Sequence, residues 1–563
     1  MLGLVFVRLL SFISTMSIPS ISAKSDVLDH LGLIAATVSK LGLVEEIDKK
    51  IPMTQRTKTT HGQRALAMIL NGLGFMDDRL YLFPKFLDNK PVSKLFGPGI
   101  QASDFHDDSL GRFLDAIHNY GEQALFSQLS LSMALKHNLL GKSVHLDTTT
   151  LSLYGTSYED AANTTDTAIP MHGYAKNHRF DLKQMTLLLA TTGASNFPIW
   201  MESHSGNASD TKTLEAAASR MQAFCKALSL APDMLYVGDS AMYSGCVTRG
   251  KDLLWLSRVP STIKPCQALL AKQDVIWTPL QEAGYKMYPC NQTYQDVKQR
   301  WVLIYSQDAY EQECKTLDKR IKHQEIELQK HIKSVEKELF SCEKDLQIAV
   351  KKLQKTVRYH RLDYQIHQEC QYESKGRPKH GASPKAIYYR VICTLLQDDE
   401  KIEKTRITQG RFILATNQLC TKTLPNEAIL STYKEQAGTE AGFKFIKDDT
   451  FEVDSIFLKK PGRISALMVV MTLCLMVYSF AQYFLRQELV SRNETLPTQS
   501  GRENQKPSMK WIYRLLHGVH VLHLELDGSL ISKVINIDAL RKRIIGYFGS
   551  LACSIYEVKC QNL

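Results

Sequence analysis

The run Ile464–Leu485, ISALMVVMTLCLMVYSFAQYFL, is 22 residues long and carries no charged side chain. A helix of that length and composition has two homes. It spans a bilayer, or it lies at the centre of a large protein, where a helix is apolar all round. The choice depends on the residues that precede it. At 563 residues the chain has room for two to four domains and a large core. Its 44% hydrophobic and 23% charged residues are ordinary for a globular protein.

The charge balance is 69 Lys+Arg against 58 Asp+Glu, a net +11. A positive surface attracts polyanions, nucleic acid foremost, through phosphate contacts and counterion release; equally, +11 spread over this length describes a soluble basic protein. The 12 cysteines are scattered singly from Cys225 to Cys560 without a CxxC pair. That pattern argues against a zinc knuckle and a disulfide scaffold and points to a reducing cytoplasm. The first residues, MLGLVFVRLLSFISTMSIPSISA, resemble a signal peptide. Against secretion, Arg8 lies inside the apolar run rather than before it, and a start at Met16 removes most of the segment.

Residues 1–25 are therefore set apart as an apolar extension, and a helical domain is expected over 26–140. Leu28, Leu31, Leu33, Ile34, Val38 and Leu41 give one apolar face. Thr60 is the expected N-cap of the next helix, and Asp107 or Asp108 caps another that stops at Gly121. Such a domain binds DNA or serves as a scaffold; no single helix is basic enough to be a recognition helix. At residue 142 the period changes to two. Strands are expected in KSVHLDTTTLSLYG, Met185–Gly193, Phe197–Ser203, Met234–Ser240 and Leu253–Val259, with a helix over TKTLEAAASRMQAF. Three strands, a helix, then a strand is the order of an RNase H-like α/β core, here 141–262. An insertion over 263–409 follows. It contains a heptad seam, Ile321, Glu325, Leu328, Ile332, Val335, Leu339, Cys342, Leu346, Ala349 and Leu353. That seam either dimerises the chain or folds as an antiparallel hairpin on its own domain. The loop Glu373–Lys385 is basic and rich in Pro and Gly. The core resumes over 410–487, and 488–563 reads as a polar linker with a small helical tail.

Asp147 stands within an otherwise apolar strand, where a carboxylate is costly unless it binds a cation or a proton. Asp239 ends a second strand, a position that turn and cap residues commonly occupy. In TYKEQAGTEAGFKFIKDDTF, Tyr433, Gln436, Glu440, Phe443, Lys444 and Lys447 recur at steps of three and four, placing carboxylate, phenol and ammonium on one helical face. The plain alternative is a solvated helix with i, i+4 ion pairs.

This last segment resembles the Tyr-x2-(Arg/Gln)-x3-Glu-x6-Lys signature of bacterial insertion-sequence transposases of the DDE class. Tyr433, Glu440 and Lys447 match its spacing, and Gln436 stands where Arg is usual, as in a subgroup of these enzymes. The blocks LDTTTLSLYG, GYAKNHRFDLKQ, SGNASDTKTL and VGDSAMYS are similar too, so the resemblance covers roughly residues 26–520. It implies an α/β, RNase H-like catalytic core with a large insertion between the second Asp and the Glu, preceded by the helical domain. Asp147, Asp239 and Glu440 are then ligands for Mg²⁺, or Mn²⁺ in its place, with two ions expected. Tyr433, Gln436, Lys444 and Lys447 contact DNA. The implied partners are double-stranded DNA, both terminal inverted repeats and target, and a second copy of the chain, in the cytoplasm and on the nucleoid. Ile464–Leu485 becomes a buried helix rather than a membrane span. A decayed DNA-binding relative, an RNase H-like nuclease without strand transfer, and a secreted or membrane-anchored interaction protein are the competing readings.

Overall fold

A computed structural model describes residues 21–53, 57–74, 82–153, 168–174, 179–192, 195–227, 234–248, 252–373, 383–447, 458–526 and 529–559. Most of the apolar N-terminal extension and of the 373–385 loop lies outside them. In chain order the elements used below are β1 (Ile21–Val27), α1 (Leu31–Leu41), α2 (His61–Leu73), α3 (Asp107–Tyr120), α4 (Glu122–Lys136), β2 (Ser143–Leu153), β3 (Lys183–Thr192) and β4 (Phe197–Ser205). Then come α5 (Asp210–Ala227), β5 (Leu235–Gly238), α6 (Ser240–Thr248), β6 (Leu254–Arg258), β7 (Tyr285–Tyr294), β8 (Val297–Ser306), α7 (Gln307–Lys337) and α8 (Glu343–Gln354). The remainder are β9 (His360–Gln371), β10 (Ala386–Gln397), β11 (Arg411–Thr416), α9 (Asn426–Lys434), α10 (Ala437–Ile446), α11 (Pro461–Ser491), β12 (His520–Leu526), β13 (Ser529–Ile535) and α12 (Ser550–Ile555). The molecule is mixed α/β and divides into two units: Met1–Trp255 with Thr432–Leu563, and Leu256–Ser431. The second spans the expected 263–409 insertion and extends past both its ends.

In the first unit, α2 starts on a capping box in which the Thr60 side chain and Gln63 exchange hydrogen bonds, as the sequence predicts. The predicted cap of α3 is corrected. His106 takes the cap position, and Asp107 and Asp108 fall in the first turn, where carboxylates favour the helix dipole. Helix α11 is long and apolar enough to cross a membrane, yet 89% of its most apolar window is buried inside the protein. It packs against α1, α2, α3, α4, α10 and β4. Its start is fixed by Arg463, whose Nε and Nη2 donate to Asp115 on α3 at 2.7 and 2.6 Å. Those bonds hold the Asp115 carboxyl below its usual range. A Cβ on Gly462 would lie 2.6 Å from the His118 ring, so only glycine lets the two helices approach this closely.

The strands of this unit run in the order β4-β3-β2-β5-β6, and the unit boundary falls inside β6. β2 pairs antiparallel with β3 and parallel with β5, and β3 pairs antiparallel with β4. β2 is buried along nearly its whole length, which explains why apolar and small β-branched residues fill it. Two expectations fail at the termini. Residues from Ile21 form a strand, and the tail holds β12 and β13 beside its helices; together they make a sheet in the order β1-β12-β13. Tyr556 seals this region, its hydroxyl donating to the Asp29 carbonyl at 2.6 Å. Cys553 is disulfide-bonded, while ten other cysteines among the described residues are free thiols.

In the second unit, β11 pairs with the later half of β6 and with β8, and β8 pairs with β7, all antiparallel. The heptad seam is two helices rather than one. α7 ends at Lys337, residues 338–342 leave the helical path, and α8 begins after Cys342, whose Sγ accepts from the Asp345 amide. Leu328, Ile332, Leu346, Val350 and Leu353 then share one core with Leu362 and Val391 of the β9–β10 hairpin. The seam therefore folds back on its own domain.

Candidate active site

Alternation along β2 places Ser143, His145 and Asp147 on one face of the sheet. Directly opposite on β3 stand Thr191 beside His145 and Leu189 beside Asp147. Asp147 is half-buried, and its Oδ1 accepts from the Thr148 amide at 2.7 Å. On the other side of β2, the parallel register pairs Val144 with Tyr236 and His145 with Val237. Asp147 and Asp239 each lie two residues beyond that last pair, so two carboxylates leave adjacent parallel strands at one level. Asp239 is half-buried and also caps α6, its Oδ1 accepting from the Ala241 amide at 2.9 Å.

Helix α10 lies across this same face. Glu435, just before it, brings its carboxylate 3.3 Å from the Ser143 hydroxyl and 3.5 Å from His145 Nε2. Thr439 and Thr191 share a hydrogen bond of 2.6 Å between their hydroxyls. Gly438 abuts Asn196 in the turn between β3 and β4, where an added Cβ would fall 1.7 Å from Oδ1. Successive helical residues rotate by about 100°. Gly438 towards the β3–β4 turn and Thr439 towards β3 seat α10 on this face, and Glu440, the next residue, leaves the helix on its exposed flank. Glu440, Lys444 and Lys447 are exposed and share that flank.

The structure alters the expected single helical face. α9 ends at Lys434 and α10 starts at Ala437, with Tyr433 on the first and Glu440, Lys444 and Lys447 on or at the end of the second. At the break the Gln436 amide bonds to the Tyr433 carbonyl, three residues back, rather than four back as in an α-helix. Gln436 is 6% exposed, and its Oε1 meets no donor among the described residues. A side chain buried in that way has little surface open to a phosphate. Sequence reasoning also missed His145, Glu435, Thr439 with Thr191, and Gly438 with Asn196. Of these, His145 had a signal, since it shares the face of Asp147 two residues on.

Three carboxylates make an oxygen-only donor set, which suits a hard divalent cation that keeps several waters. The set is open. Among the described residues only His106, Asp107 and Asp108 have ligand atoms all within 4.8 Å of one another, and these three are exposed neighbours in sequence. Asp147, Asp239 and Glu440 are not drawn that close.

A sequence family described as "Domain of unknown function (DUF4277)" matches residues 23–131, which run from β1 through α1, α2 and α3 into α4 of the first unit. No curated protein matches the chain. Among solved structures, the chain is similar to a piggyBac transposase determined by cryo-EM as a synaptic complex with hairpin DNA. The identity is 9% and the TM-score 0.35, over 88% of this chain and 82% of the other.

Proposed function

We propose that this chain is a DNA transposase of the DDE class, which cuts and transfers the ends of an insertion sequence. One observation carries the reading: Asp147 and Asp239 each stand two residues beyond one pair of the parallel β2–β5 register, and α10, which bears Glu440, is seated on the same face of the sheet. Three strands, a helix and a fourth strand parallel to the first support an RNase H-like core. In this reading Asp147, Asp239 and Glu440 hold Mg²⁺, or Mn²⁺, as two ions. When bound, such cations activate the attacking oxygen and stabilise the leaving oxygen of a phosphodiester. The chain's own residues orient the DNA. Lys444 and Lys447 offer ammonium groups beside Glu440, and Tyr433 a phenol at the end of α9. Glu435, Thr439 and Gly438 fix the helix that carries the third acid. The partners are double-stranded DNA, as terminal inverted repeats and target, and a second copy of the chain, on the nucleoid in the cytoplasm.

The test replaces each acid without changing its shape: Asp147→Asn, Asp239→Asn and Glu440→Gln. Each is expected to abolish Mg²⁺-dependent cleavage of a duplex bearing the inverted repeat that brackets the reading frame, while duplex binding persists, because phosphate contacts lie mostly elsewhere. Full excision by any one of the three sinks the assignment.

A further inference from the structure

The second unit carries a cleft of about 640 Å³ between α7 and the segment joining α8 to β9. Lys319, Arg320, His323, Glu327 and His331 line one wall. After the adjacent pair Lys319 and Arg320, steps of three and four put them on one face of α7. The facing wall is built around Arg358 and Tyr359. Gln324 ties the walls together: its Oε1 accepts from the Arg358 and Tyr359 amides at 3.3 and 3.0 Å, and its Nε2 donates to the Thr356 carbonyl at 3.1 Å. The cleft is thus formed before anything enters it, which lowers the ordering cost of binding.

Its charge is uncompensated. Several cations elsewhere in this unit are paired, as Lys401 with Asp398 at 2.7 Å, Lys404 with Glu400 at 2.6 Å and Arg406 with Asp318 at 3.2 Å. Lys319, Arg320 and Arg358 are exposed and make no ion pair among the described residues. The one acid of the cleft, Glu327, is already held by Lys330 at 2.8 Å. From Lys319 to His331 the stripe runs about 18 Å along the helix axis. Duplex DNA of that length presents about five phosphates per strand. Unpaired cations on both walls of a preformed groove of this length, Lys319 and Arg320 on one and Arg358 on the other, fit an extended polyanion better than a single anion.

The geometry points to this cleft as a second DNA-backbone site, remote in sequence from the carboxylates and reading phosphates rather than bases. The inference rests on the proposal that the chain handles DNA. The test uses the full chain, a labelled duplex and fluorescence anisotropy across a salt series. The variant K319Q/R320Q/R358Q is compared with K344Q/K351Q/K352Q, which removes three exposed lysines of α8 outside the cleft. Loss of three phosphate contacts is expected to weaken binding about tenfold or more and to reduce the slope of log affinity against log salt by roughly 2 to 3. The α8 variant is expected to leave both nearly unchanged. Equal loss in the two variants overturns the site, as does an unchanged slope in the first. Inorganic phosphate is titrated in parallel; a saturable phosphate site lost in the cleft variant, with duplex affinity intact, assigns the cleft to a small anion and overturns DNA. Asp147→Asn separates the two readings. If it still cleaves, the proposed chemistry fails while the cleft stands on its binding data; if no duplex binds the native chain, both fail.

Discussion

Gly438→Ala is the sharpest probe of the architecture around Glu440, because the added atom can be admitted only if the Asn196 side chain or the helix moves. Its Cβ would sit 1.7 Å from Asn196 Oδ1 and 2.1 Å from Cγ. An ordinary carbon–oxygen contact needs about 3.3 Å, so roughly 1.5 Å must be found by moving the asparagine or the helix. Asn196 has a positive φ of 51° in the turn between β3 and β4, so its backbone cannot yield easily. Thr439, the next residue, is tied to Thr191 at 2.6 Å, which resists sliding on the other side. Overpacking of this kind costs about 1–3 kcal/mol. A shift of about 1 Å in a catalytic group lowers a rate by about a hundredfold. The expected outcome is a lower melting temperature together with about a hundredfold slower Mg²⁺-dependent cleavage, with duplex affinity preserved. Asn196→Gly in the same chain removes the obstructing amide and suits a positive φ, so the double variant is expected to regain both properties. Native activity in Gly438→Ala, or no recovery on adding Asn196→Gly, would refute the account of how α10 is seated.

Two further predictions concern the core. Burial raises the Glu202 carboxyl, but hydrogen bonds from Arg220 and Trp200, with the His204 ring nitrogen 3.0 Å away, outweigh it and bring the group down to about 2. Because the folded value lies below the usual 4.5, its stabilising contribution is complete above that pH and is lost as pH falls towards 2. Glu202→Gln is therefore expected to lose roughly 1–3 kcal/mol near neutral pH, with the gap from the native chain narrowing between pH 4.5 and 2 in urea titrations. A gap that stays constant with pH contradicts it. Leu473, 1% exposed on α11, becomes a cavity in Leu473→Ala at a cost of about 2–5 kcal/mol. Val490→Ala, at a residue 56% exposed on the same helix, stays within about 0.5 kcal/mol. Equal effects at the two positions, measured by denaturant unfolding of the full chain, speak against α11 as a core helix.

What the sequence disclosed depended on whether the deciding interaction was local. β2 and β3 show in the change of period at residue 142, and α11 shows in its composition, because each pattern is written within one element. β12 and β13 were hidden because β12 completes its sheet with β1, near the other end of the chain, as in the pairing of Ile21 with Leu526. The break between α7 and α8 was hidden for another reason. The spacing of four and three runs unbroken through Val335, Leu339, Cys342 and Leu346, although Glu338 turns to ψ 137° and Leu339 is exposed. Periodicity reports which side chains want burial, not whether the backbone stays helical between them. Of the three acids, Asp147 and Glu440 were visible from local pattern and spacing. The level shared by Asp147 and Asp239 is a property of β2 pairing with β5, which no local pattern contains.

The same distinction bears on Gln436. On a single unbroken helix it would stand beside Tyr433 and Glu440, and the usual Arg there would face a phosphate. The break places it instead where the chain turns inward, 6% exposed. An arginine in that position would either bury a guanidinium, at a cost of several kcal/mol without a partner, or force the break to open. Glutamine avoids the charge and leaves one carbonyl unmet, at a cost of about 1–3 kcal/mol. The substitution is therefore coupled to the local backbone, and under the proposed function the grip on DNA comes from other residues. Lys444 and Lys447 are exposed on the helix of Glu440, and Lys319, Arg320 and Arg358 line the cleft of the second unit. It follows that Gln436→Arg should not strengthen DNA binding in this chain. It should lower stability instead, and a variant that bound duplex more tightly with no loss of stability would mean that residue 436 faces the DNA after all.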